Sequence, residues 1–582
     1  MQHFLLISIL LLFDLATVHC QIPLPSTPYL PPNASSGAQP SPSQSTLPNP
    51  QWSNLLGNLI YFYDAQRSGK LPSTNRVPWR NDSALDDGSD VKLDLSGGYY
   101  DAGDYIKATY PLSFTLMSIC WGAIEFGQGY DMSNQTAYLD SMLRWGLDWL
   151  IKAHPSNSTL YVLVGDANTD DAYWGGDLGI PKPRTSYQIN DTSPGTDAAA
   201  GASAAFAACS ALYNNQPLKV SSSTPASLQN TTYGAELLQH AQQLYSFAVN
   251  ASGGQRLYQV SVPAVAAAYG SSTYTDELAL AALFLSLAQN SSSLFQQAES
   301  FYSTYSLGNQ NGILNWDSKT PALALLFTQI ASTRPDIGRN LSSWQAEAER
   351  YFDNVINIRI PGFLTKGGLL FYNGYSDTSS LNPALTAAMM LFMYAPSAST
   401  WEKQQAYIAF ANNQLNYALG NNPMSVPYIV GSNPNSPQNP HSAIASGGND
   451  ISQVDTSPPQ EAYVLYGAVV GGPDVHDQFF DIRSDWPETE PALDINTPML
   501  TLAAWKVMND TSDPFFTSLK AGEYDARRPK GTPCDGAFPC NSNSIFQKGG
   551  KIAMIVVLAV VGSVILGLFG YWMVLAFTNK KA

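Results

Sequence analysis

Charged residues are scarce in this sequence. They make up 13% of its 582 residues, against about 25% in typical soluble proteins. Only 29 residues are Lys or Arg, and the net charge is -16. Nucleic-acid binding needs clustered cations that neutralise phosphates, so this composition argues against a nucleic-acid partner. It is compatible with a neutral polymer.

Histidine and cysteine are also few, with six and five residues. There is no H-E-x-x-H pattern and no Cys/His cluster, which argues against a catalytic zinc ion. Nucleophile-elbow, P-loop and dinucleotide-binding patterns are missing too. Cys120 and Cys209 lie in apolar or Ala-rich runs and are expected to be buried thiols. Cys534 and Cys540 flank a short turn and could form a local disulfide in an oxidising compartment.

The N-terminal region is typical of a secreted protein. Residues 1–20 contain an apolar run and are predicted to be a signal peptide. Residues 21–50 are rich in Pro and Ser and are predicted to be an extended spacer. Ten Asn-x-Ser/Thr sequons support secretion. They begin at Asn33, Asn81, Asn134, Asn157, Asn190, Asn230, Asn250, Asn290, Asn340 and Asn509.

The C-terminal region predicts a membrane anchor. Residues 520–550 resemble a stalk, 551–578 form an apolar run long enough to span a bilayer, and 579–582 would be a short cytoplasmic tail. The predicted topology is single-pass type I, with residues 51–519 outside the cell. The alternative is a lipid-anchor signal, in which small residues and a spacer precede a hydrophobic tail. The lysines that follow the apolar run disfavour it.

Residues 51–519 show the pattern of an all-α domain. About a dozen segments have helical length and an apolar face, and Gly, Pro, Asn and Ser separate them. Few segments show the alternation typical of strands. A helical solenoid and a helix bundle are the alternatives, but no short repeat is found.

The segment GGYYDAGDYIK, residues 97–107, is the first candidate for chemistry. Asp101 and Asp104 lie three residues apart with small residues between them, so a water or substrate could approach the backbone closely. Two such carboxylates could hold one water, and one of them could take its proton. The alternative is a polar turn before a helix, because Asp is a favoured helix cap.

The second candidate is residues 471–496, GGPDVHDQFFDIRSDWPETEPALDIN, which contains seven carboxylates. Crowding and partial burial raise carboxyl pKa values, as a general acid requires. The residues alone do not distinguish Glu488 from Glu490. A third segment, residues 417–448, is loop-like and carries His441, which on its own would be an ordinary solvated histidine.

At these segments the sequence resembles glycoside hydrolase family 9, the large endoglucanase family. The matching text includes GGYYDAGDYIK, LVGDANTDDAYWGG, YTDELALAALFL, YALGNNP, NPHS and GGPDVHDQFFDIR followed by EPALDIN. These motifs occur in order across about residues 51–508. The resemblance implies an (α/α)6 barrel whose long loops form an open cleft at one end.

The resemblance also implies roles for individual residues. Asp104 would be the general base, Asp101 would help to hold the attacking water, and Glu490 would be the general acid. Four more residues would contact substrate or order the cleft: His441, Trp174, Tyr375 and Arg483. Inversion by such a pair requires carboxyl groups roughly 6.5–9.5 Å apart.

Some positions depart from the family pattern. His441 is followed by Ser442 and Ala443 where the family commonly has His and Arg, and Asp171 stands where many relatives have His. No cofactor is required by this chemistry. Many relatives bind structural calcium, and Asp276 matches one ligand position, so a calcium ion is an expectation of the resemblance.

The predicted function is endo-hydrolysis of β-1,4-glucosidic linkages in cellulose or a related β-glucan, with inversion. Two alternatives stay open. One is a catalytically weak glucan-binding or wall-organising membrane protein. The other is an exo-acting hydrolase of β-glucan oligosaccharides. The expected partners are the polysaccharide and, through residues 551–578, the lipid bilayer.

Overall fold

A computed structural model of the protein describes residues 22–36, 40, 46–219 and 224–539. These residues form a predominantly helical domain, which confirms the predicted all-α class. The helices are α1 Pro50–Ala65, α2 Thr109–Phe126, α3 Gln128–Met132, α4 Thr136–Ala153, α5 Ala167–Asp170, α6 Thr196–Tyr213, α7 Thr231–Asn250, α8 Tyr258–Ser261, α9 Ala266–Tyr269, α10 Thr275–Gln289, α11 Ser292–Thr304, α12 Thr320–Thr333, α13 Leu341–Ile356, α14 Leu381–Tyr394, α15 Trp401–Ala418, α16 Ala443–Ser446, α17 Trp486–Thr489 and α18 Leu493–Asn509.

Twelve of these helices have 13 or more residues, and they alternate along the chain between partly exposed and buried. Every residue of α2, α6 and α14 is buried, and α10, α12 and α18 are almost as buried. The intervening helices α1, α4, α7, α11, α13 and α15 have exposed or half-exposed polar faces. A helix that is apolar all round must be covered on every side, whereas an amphipathic helix can lie at the surface.

The six buried helices contact one another in a closed series. α2 contacts α6, α6 contacts α10, α10 contacts α12, α12 contacts α14, α14 contacts α18, and α18 returns to α2. Small residues allow these close approaches. A Cβ atom on Gly122 of α2 would lie 2.2 Å from Thr501 Oγ1 of α18.

Side-chain caps begin several of the outer helices. Asn49 accepts hydrogen bonds from the backbone N–H groups at the start of α1. Asn230 does so for α7 and Thr400 for α15. Such caps satisfy N–H groups that have no partner inside the helix.

Five short strands accompany the helices. The strands are β1 Lys107–Ala108, β2 Thr159–Val164, β3 Ser186–Asn190, β4 Phe363–Leu364 and β5 Leu370–Phe371. The first three form an antiparallel sheet in the order β1-β2-β3, with Lys107 opposite Val164 and Leu160 opposite Ile189. β4 and β5 form an antiparallel pair. The β1–β2 pairing fixes the chain directly after the Asp101–Asp104 segment.

The expectation that Cys120 and Cys209 are free thiols is wrong. They form a disulfide that joins α2 to α6 across a sequence separation of 89 residues. Both side chains are fully buried, and the contact between α2 and α6 brings them together. Cys534 is also disulfide-bonded, while its predicted partner Cys540 lies outside the described residues.

Part of the predicted spacer lies against the domain. Tyr29 donates hydrogen bonds to Asn58 Oδ1 at 2.6 Å and to the Asn54 carbonyl at 2.8 Å. Ile22 N donates to Asp140 Oδ2 at 2.8 Å. Residues 22–36 contain neither helix nor strand. Their Pro- and Ser-rich composition does not show that Tyr29 and Ile22 attach them to the domain.

Residues 520–539, assigned from sequence to the stalk, also lie against the domain. The Tyr524 ring is buried, and its hydroxyl donates to the Phe479 carbonyl at 2.9 Å. Arg528 lies 3.7 Å from Asp481. This segment therefore packs beside the acidic stretch 471–496.

Among the described residues, no helix is both long enough and apolar enough to cross a membrane. The predicted signal peptide, the predicted span 551–578 and the tail 579–582 lie outside these residues.

Candidate active site

An open cleft of about 830 Å³ lies at the N-terminal ends of the buried helices. Loops that precede α2, α10, α12, α14 and α18 supply its walls. The residues that line it and carry acidic or aromatic side chains are Asp101, Asp104, Asp170, Asp171, Trp174, Tyr269, Trp316, Asp317, Tyr375, Trp486, Glu490 and Asp494. An acidic cleft with aromatic faces suits a neutral, polyhydroxylated ligand.

The loop that carries Asp101 and Asp104 is closed by hydrogen bonds. Asp170 Oδ2 accepts from the N–H groups of Tyr105 and Ile106, each at 2.8 Å. Asp101 N donates to the Ile106 carbonyl at 3.1 Å. These bonds hold both carboxylates at the floor of the cleft before α2 begins.

Gly103 is the point where this loop meets the other two motifs. Its N–H donates to Glu490 Oε1 at 3.0 Å, and its carbonyl accepts from Ala443 N at 2.9 Å. A Cβ atom here would lie 2.3 Å from the His441 carbonyl oxygen and 3.0 Å from Glu490 Oε1. Glycine is therefore required for the three segments to approach one another.

The structure places Glu490 in the cleft and Glu488 outside it. Glu488 is buried, and its Oε2 accepts a hydrogen bond from Phe480 N at 2.7 Å. Burial raises the pKa of Glu490 to about 7, with smaller contributions from the negative charges of Asp171 and Asp170. A carboxyl with this pKa is half-protonated at neutral pH, so it can donate a proton there.

Asp104 lies across from Glu490. Burial raises the pKa of Asp104 well above its ordinary value, while the charge of His441 opposes this. One carboxylate oxygen of Asp104, one of Glu490 and one ring nitrogen of His441 lie within 4.8 Å of one another. One oxygen of Asp104 and one of Glu490 are therefore closer together than the 6.5–9.5 Å expected between the carboxyl groups of an inverting pair.

Asp101 is buried beneath Asp104. Its Oδ2 accepts a hydrogen bond from the Tyr269 hydroxyl, and its Oδ1 has no hydrogen-bond partner among the described residues. The free oxygen can accept a hydrogen bond from a water in the cleft. Burial also raises the pKa of Asp101 well above its ordinary value.

His441 is fixed by the acidic segment. Its Nδ1 lies 2.6 Å from the Arg483 carbonyl oxygen, and a carbonyl can only accept, so Nδ1 carries the proton. His441 N also donates to the Thr489 carbonyl at 3.1 Å. The second ring nitrogen is then left for the cleft.

The two predicted aromatic contacts differ in exposure. Trp174 lines the cleft but is only 2% exposed, and its ring lies 5.0 Å from the His441 ring. Tyr375 lines the opposite side and is 49% exposed. Tyr375 therefore offers a free ring face, whereas most of Trp174 packs against protein.

Arg483, predicted to contact substrate or order the cleft, lies in the acidic segment, outside the cleft. Its side chain is 2% exposed and does not line the cleft. Its guanidinium donates to the Val454 and Pro458 carbonyls, each at 2.7 Å, and lies 3.0 Å from Glu461. The Arg483 side chain thus connects its own segment to the loop 454–461. The backbone carbonyl of Arg483 in turn fixes the His441 ring.

Several cleft residues are not found by sequence reasoning. Tyr269 ends α9, Trp316 lies in the loop before α12, and their rings lie 5.0 Å apart. Asp494 accepts from Asn382 Nδ2 at 3.1 Å, and burial raises its pKa to about 6. Asp494 lies within the EPALDIN motif but is given no role from sequence, and no motif contains Tyr269 or Trp316.

Asp276, expected as a calcium ligand, lies at the start of α10. Its Oδ2 accepts from Lys319 N at 2.7 Å, and Lys319 Nζ lies 2.8 Å from Glu277. Asp276 Oδ1 and Glu277 Oε2 are buried without hydrogen-bond partners among the described residues. The two carboxylates exceed the single lysine charge, so this donor set fits a cation of structural role.

Comparison with known proteins identifies the family. The model of glycosyl hydrolase family 9 matches residues 52–503. The chain belongs to this family. The match covers the whole helical domain, from α1 into α18, and therefore every residue of the cleft.

Relatives of this family are found in bacteria, plants and insects. The chain is 34% identical to endoglucanase A of Bacillus pumilus over 448 residues, covering 76% of this chain and 64% of that protein. It is 33% identical to endoglucanase 13 of Arabidopsis thaliana, covering 78% and 93%. The endoglucanase structure of the termite Nasutitermes takasagoensis matches with a TM-score of 0.70 at 33% identity, covering 78% and 99%. The chain thus spans less than two thirds of the bacterial relative's length.

Proposed function

We propose that this protein hydrolyses internal β-1,4-glucosidic linkages of cellulose or a related β-glucan, with inversion at the anomeric carbon. One observation carries the proposal. Asp104 and Glu490, 386 residues apart in sequence, face each other in an open cleft. Relatives named endoglucanase, at 33–34% identity, support the reaction and the substrate.

Glu490 acts as the general acid. With a pKa near 7 it retains its proton in neutral or mildly acidic solution. It gives that proton to the glycosidic oxygen as the bond between this oxygen and the anomeric carbon breaks.

Asp104 acts as the general base. A water attacks the anomeric carbon from the opposite face, and Asp104 takes its proton as the new C–O bond forms. Asp101 Oδ1, which has no other hydrogen-bond partner among the described residues, holds the second water proton. One oxygen of Asp104 and one of Glu490 lie within 4.8 Å of each other. The stereochemistry of the product decides whether a water fits between them.

The shape of the cleft favours an internal segment of a polymer. The exposed rings of Tyr375 and Trp486 and the ring of Trp316 occur along its walls. Sugar rings stack their C–H faces on aromatic rings and direct their hydroxyl groups sideways to acids such as Asp494. An open groove can bind an internal segment of a polymer chain, as endo cleavage requires.

The test is hydrolysis of soluble carboxymethylated cellulose by the wild type, Glu490→Gln and Glu402→Gln. Glu402 is a matched control, since it is exposed at the start of α15 away from the cleft. The wild type and Glu402→Gln should lower viscosity rapidly. Glu490→Gln should be slower by roughly 100-fold or more, the range of general acid catalysis, with an unchanged circular dichroism spectrum.

The other outcomes identify the alternatives. Slow viscosity loss with steady sugar release would indicate exo cleavage. Binding to the polymer with no new reducing ends would indicate a glucan-binding protein. Glu490→Gln activity equal to wild type would contradict the proposed acid.

We further propose that the twelve long helices close into an (α/α)6 barrel. The support is the closed series of contacts among the six buried helices and the alternation of buried and half-exposed helices along the chain. This arrangement would gather six helix N-termini at one end, where the cleft lies.

We also propose that the enzyme is secreted and tethered to the membrane through residues 551–578, with the helical domain outside the cell. The buried Cys120–Cys209 disulfide supports an oxidising compartment. Release of the domain into the medium when residues 551–582 are deleted would support the tether. Release of the intact chain by phosphatidylinositol-specific phospholipase would indicate a lipid anchor instead.

A further inference from the structure

A second group of carboxylates lies behind the acidic loop, outside the cleft. Asp485 and Glu488 flank α17, directly before Glu490, and Asp535 comes from the C-terminal segment. One carboxylate oxygen from each of the three lies within 4.8 Å of the others. The proposed reaction uses none of them.

The oxygens of this group are arranged in a common way. In Glu488 and Asp535, one carboxylate oxygen accepts backbone N–H bonds: Glu488 Oε2 from Phe480, and Asp535 Oδ1 from Ala537 and Phe538. The other oxygen of each is buried without a hydrogen-bond partner among the described residues. Backbone N–H groups thus orient both side chains and leave one oxygen free.

Asp485 is the most unusual member. It is fully buried, and no N–H or O–H group of the described residues makes a hydrogen bond of normal geometry with either carboxylate oxygen. Its nearest polar groups are Glu488 N and the carboxyls of Asp535 and Glu488. Buried carboxylates that meet mainly one another are costly unless something positive binds them, so Asp485 points to a missing ligand shared with the other two acids.

No basic side chain within the described part of the chain pairs with this group. Two other acids do have such partners: Glu461 lies 3.0 Å from Arg483, and Asp481 lies 3.7 Å from Arg528.

The space and the donors fit one hard cation. Glu488 and Asp535, but not Asp485, line a small cavity of about 10 Å³ together with Asp474, whose Oδ2 also has no hydrogen-bond partner among the described residues. This is about the room of one water or ion. Calcium binds carboxylate oxygens at about 2.3–2.6 Å, so two oxygens on one ion lie at most about 5 Å apart. Zinc would favour nitrogen or sulfur donors, which this group lacks.

We propose that Asp485, Glu488 and Asp535 bind a calcium ion that ties the C-terminal segment to the loop carrying Glu490. The disulfide of the adjacent Cys534 restrains the segment on one side. Calcium would hold α17, and with it the backbone from which Glu490 extends. This site is separate from Asp276 and Glu277 at the start of α10.

The test counts calcium ions bound to the full-length protein after chelation with EGTA and dialysis. Asp535→Asn removes one ligand while preserving side-chain volume. Asp525→Asn is the matched control, because Asp525 is exposed in the same segment. By equilibrium dialysis with radioactive calcium, Asp525→Asn should bind as many equivalents as wild type and Asp535→Asn one fewer. Equal binding by both variants would overturn the proposal and indicate a shared proton instead.

Terbium luminescence supplies a second measurement if Asp535→Asn fails to fold. Trp486 lies between two of the ligands, and its ring lies beside Gly536. Terbium at this site should be sensitised by tryptophan excitation and displaced by calcium. Trp486→Phe, which leaves every ligand intact, should lose part of the emission yet keep the same calcium equivalents. Unchanged emission in Trp486→Phe would contradict a site at this position.

Discussion

Glu490 receives one backbone hydrogen bond, from Gly103, and is otherwise surrounded by acids. A hydrogen bond to the carboxylate favours its charged form, whereas burial and nearby negative charges favour the proton. Burial is the larger effect, so the pKa rises to about 7. The pKa of Glu490 is thus set by burial and by neighbouring charges, and each of those charges can be removed by a single substitution.

Asp171→Asn tests this at the residue scale. Asp171 is an exposed acid at the cleft whose charge raises the pKa of Glu490. Removing the charge lowers that pKa, so Glu490 loses its proton at a lower pH. The alkaline limb of the kcat/KM profile should move to lower pH by about half a unit, the scale of a partly screened charge pair.

Glu402→Gln, far from the cleft, should leave the alkaline limb in place. A limb that stays fixed in Asp171→Asn, or moves to higher pH, would show that another group sets it.

Much of the site is encoded in contiguous motifs. Asp101, Asp104, His441 and Glu490 are predicted because each lies in a segment that resembles the family, and the fold brings the segments together. Tyr269 lies in no such segment. Its contact with Asp101 depends on how α9 ends near the loop before α2, which single-sequence patterns do not reveal.

At the scale of helices, the main feature is the covalent link between α2 and α6. Both helices are completely buried, and their contact positions Cys120 against Cys209. The sequence predicts both helices from their length and composition. It does not show which of their faces meet, so the two cysteines could not be paired in advance.

Replacing both cysteines by alanine should lower the free energy of unfolding by about 3 kcal/mol. A link that closes a long loop restricts the unfolded chain, and about 2–4 kcal/mol is typical. Denaturant titration of the double variant measures the change, and the circular dichroism spectrum should show that the helices persist.

Wild-type protein unfolded with a reducing agent should lose a similar amount. If the reduced wild type and the double variant were as stable as the oxidised protein, the link would have no role in stability.

For the whole molecule, buried acids make stability depend on pH. Burial raises the pKa values of Asp170, Asp197 and Asp494 to about 6 and that of Glu490 to about 7, against ordinary values near 4. These groups bind protons more tightly in the folded state. The stability they contribute is fully present below about pH 4 and is lost as pH rises through 6 and 7.

The melting temperature should therefore fall between pH 5 and pH 8. Differential scanning calorimetry measures it, and the decline should be less steep in Glu490→Gln, whose amide stays neutral. A melting temperature that is constant or rises over this range would contradict the raised pKa values.

The terminal segments show where composition stops being informative. Pro- and Ser-rich residues 22–36 do lack regular structure, yet Tyr29 docks them on α1, where a Cβ atom on Gly57 would lie 2.6 Å from its ring. Residues 520–539 dock through Tyr524. An aromatic residue is a main contact of each segment, and average composition does not reveal it.

The central claim is that a water attacks between Asp104 and Glu490. Proton NMR of soluble cello-oligosaccharides during hydrolysis by the purified protein tests it most directly. Direct attack predicts that the α-anomer of the new reducing end appears first and then mutarotates. Initial appearance of the β-anomer would contradict the account and indicate a covalent intermediate instead.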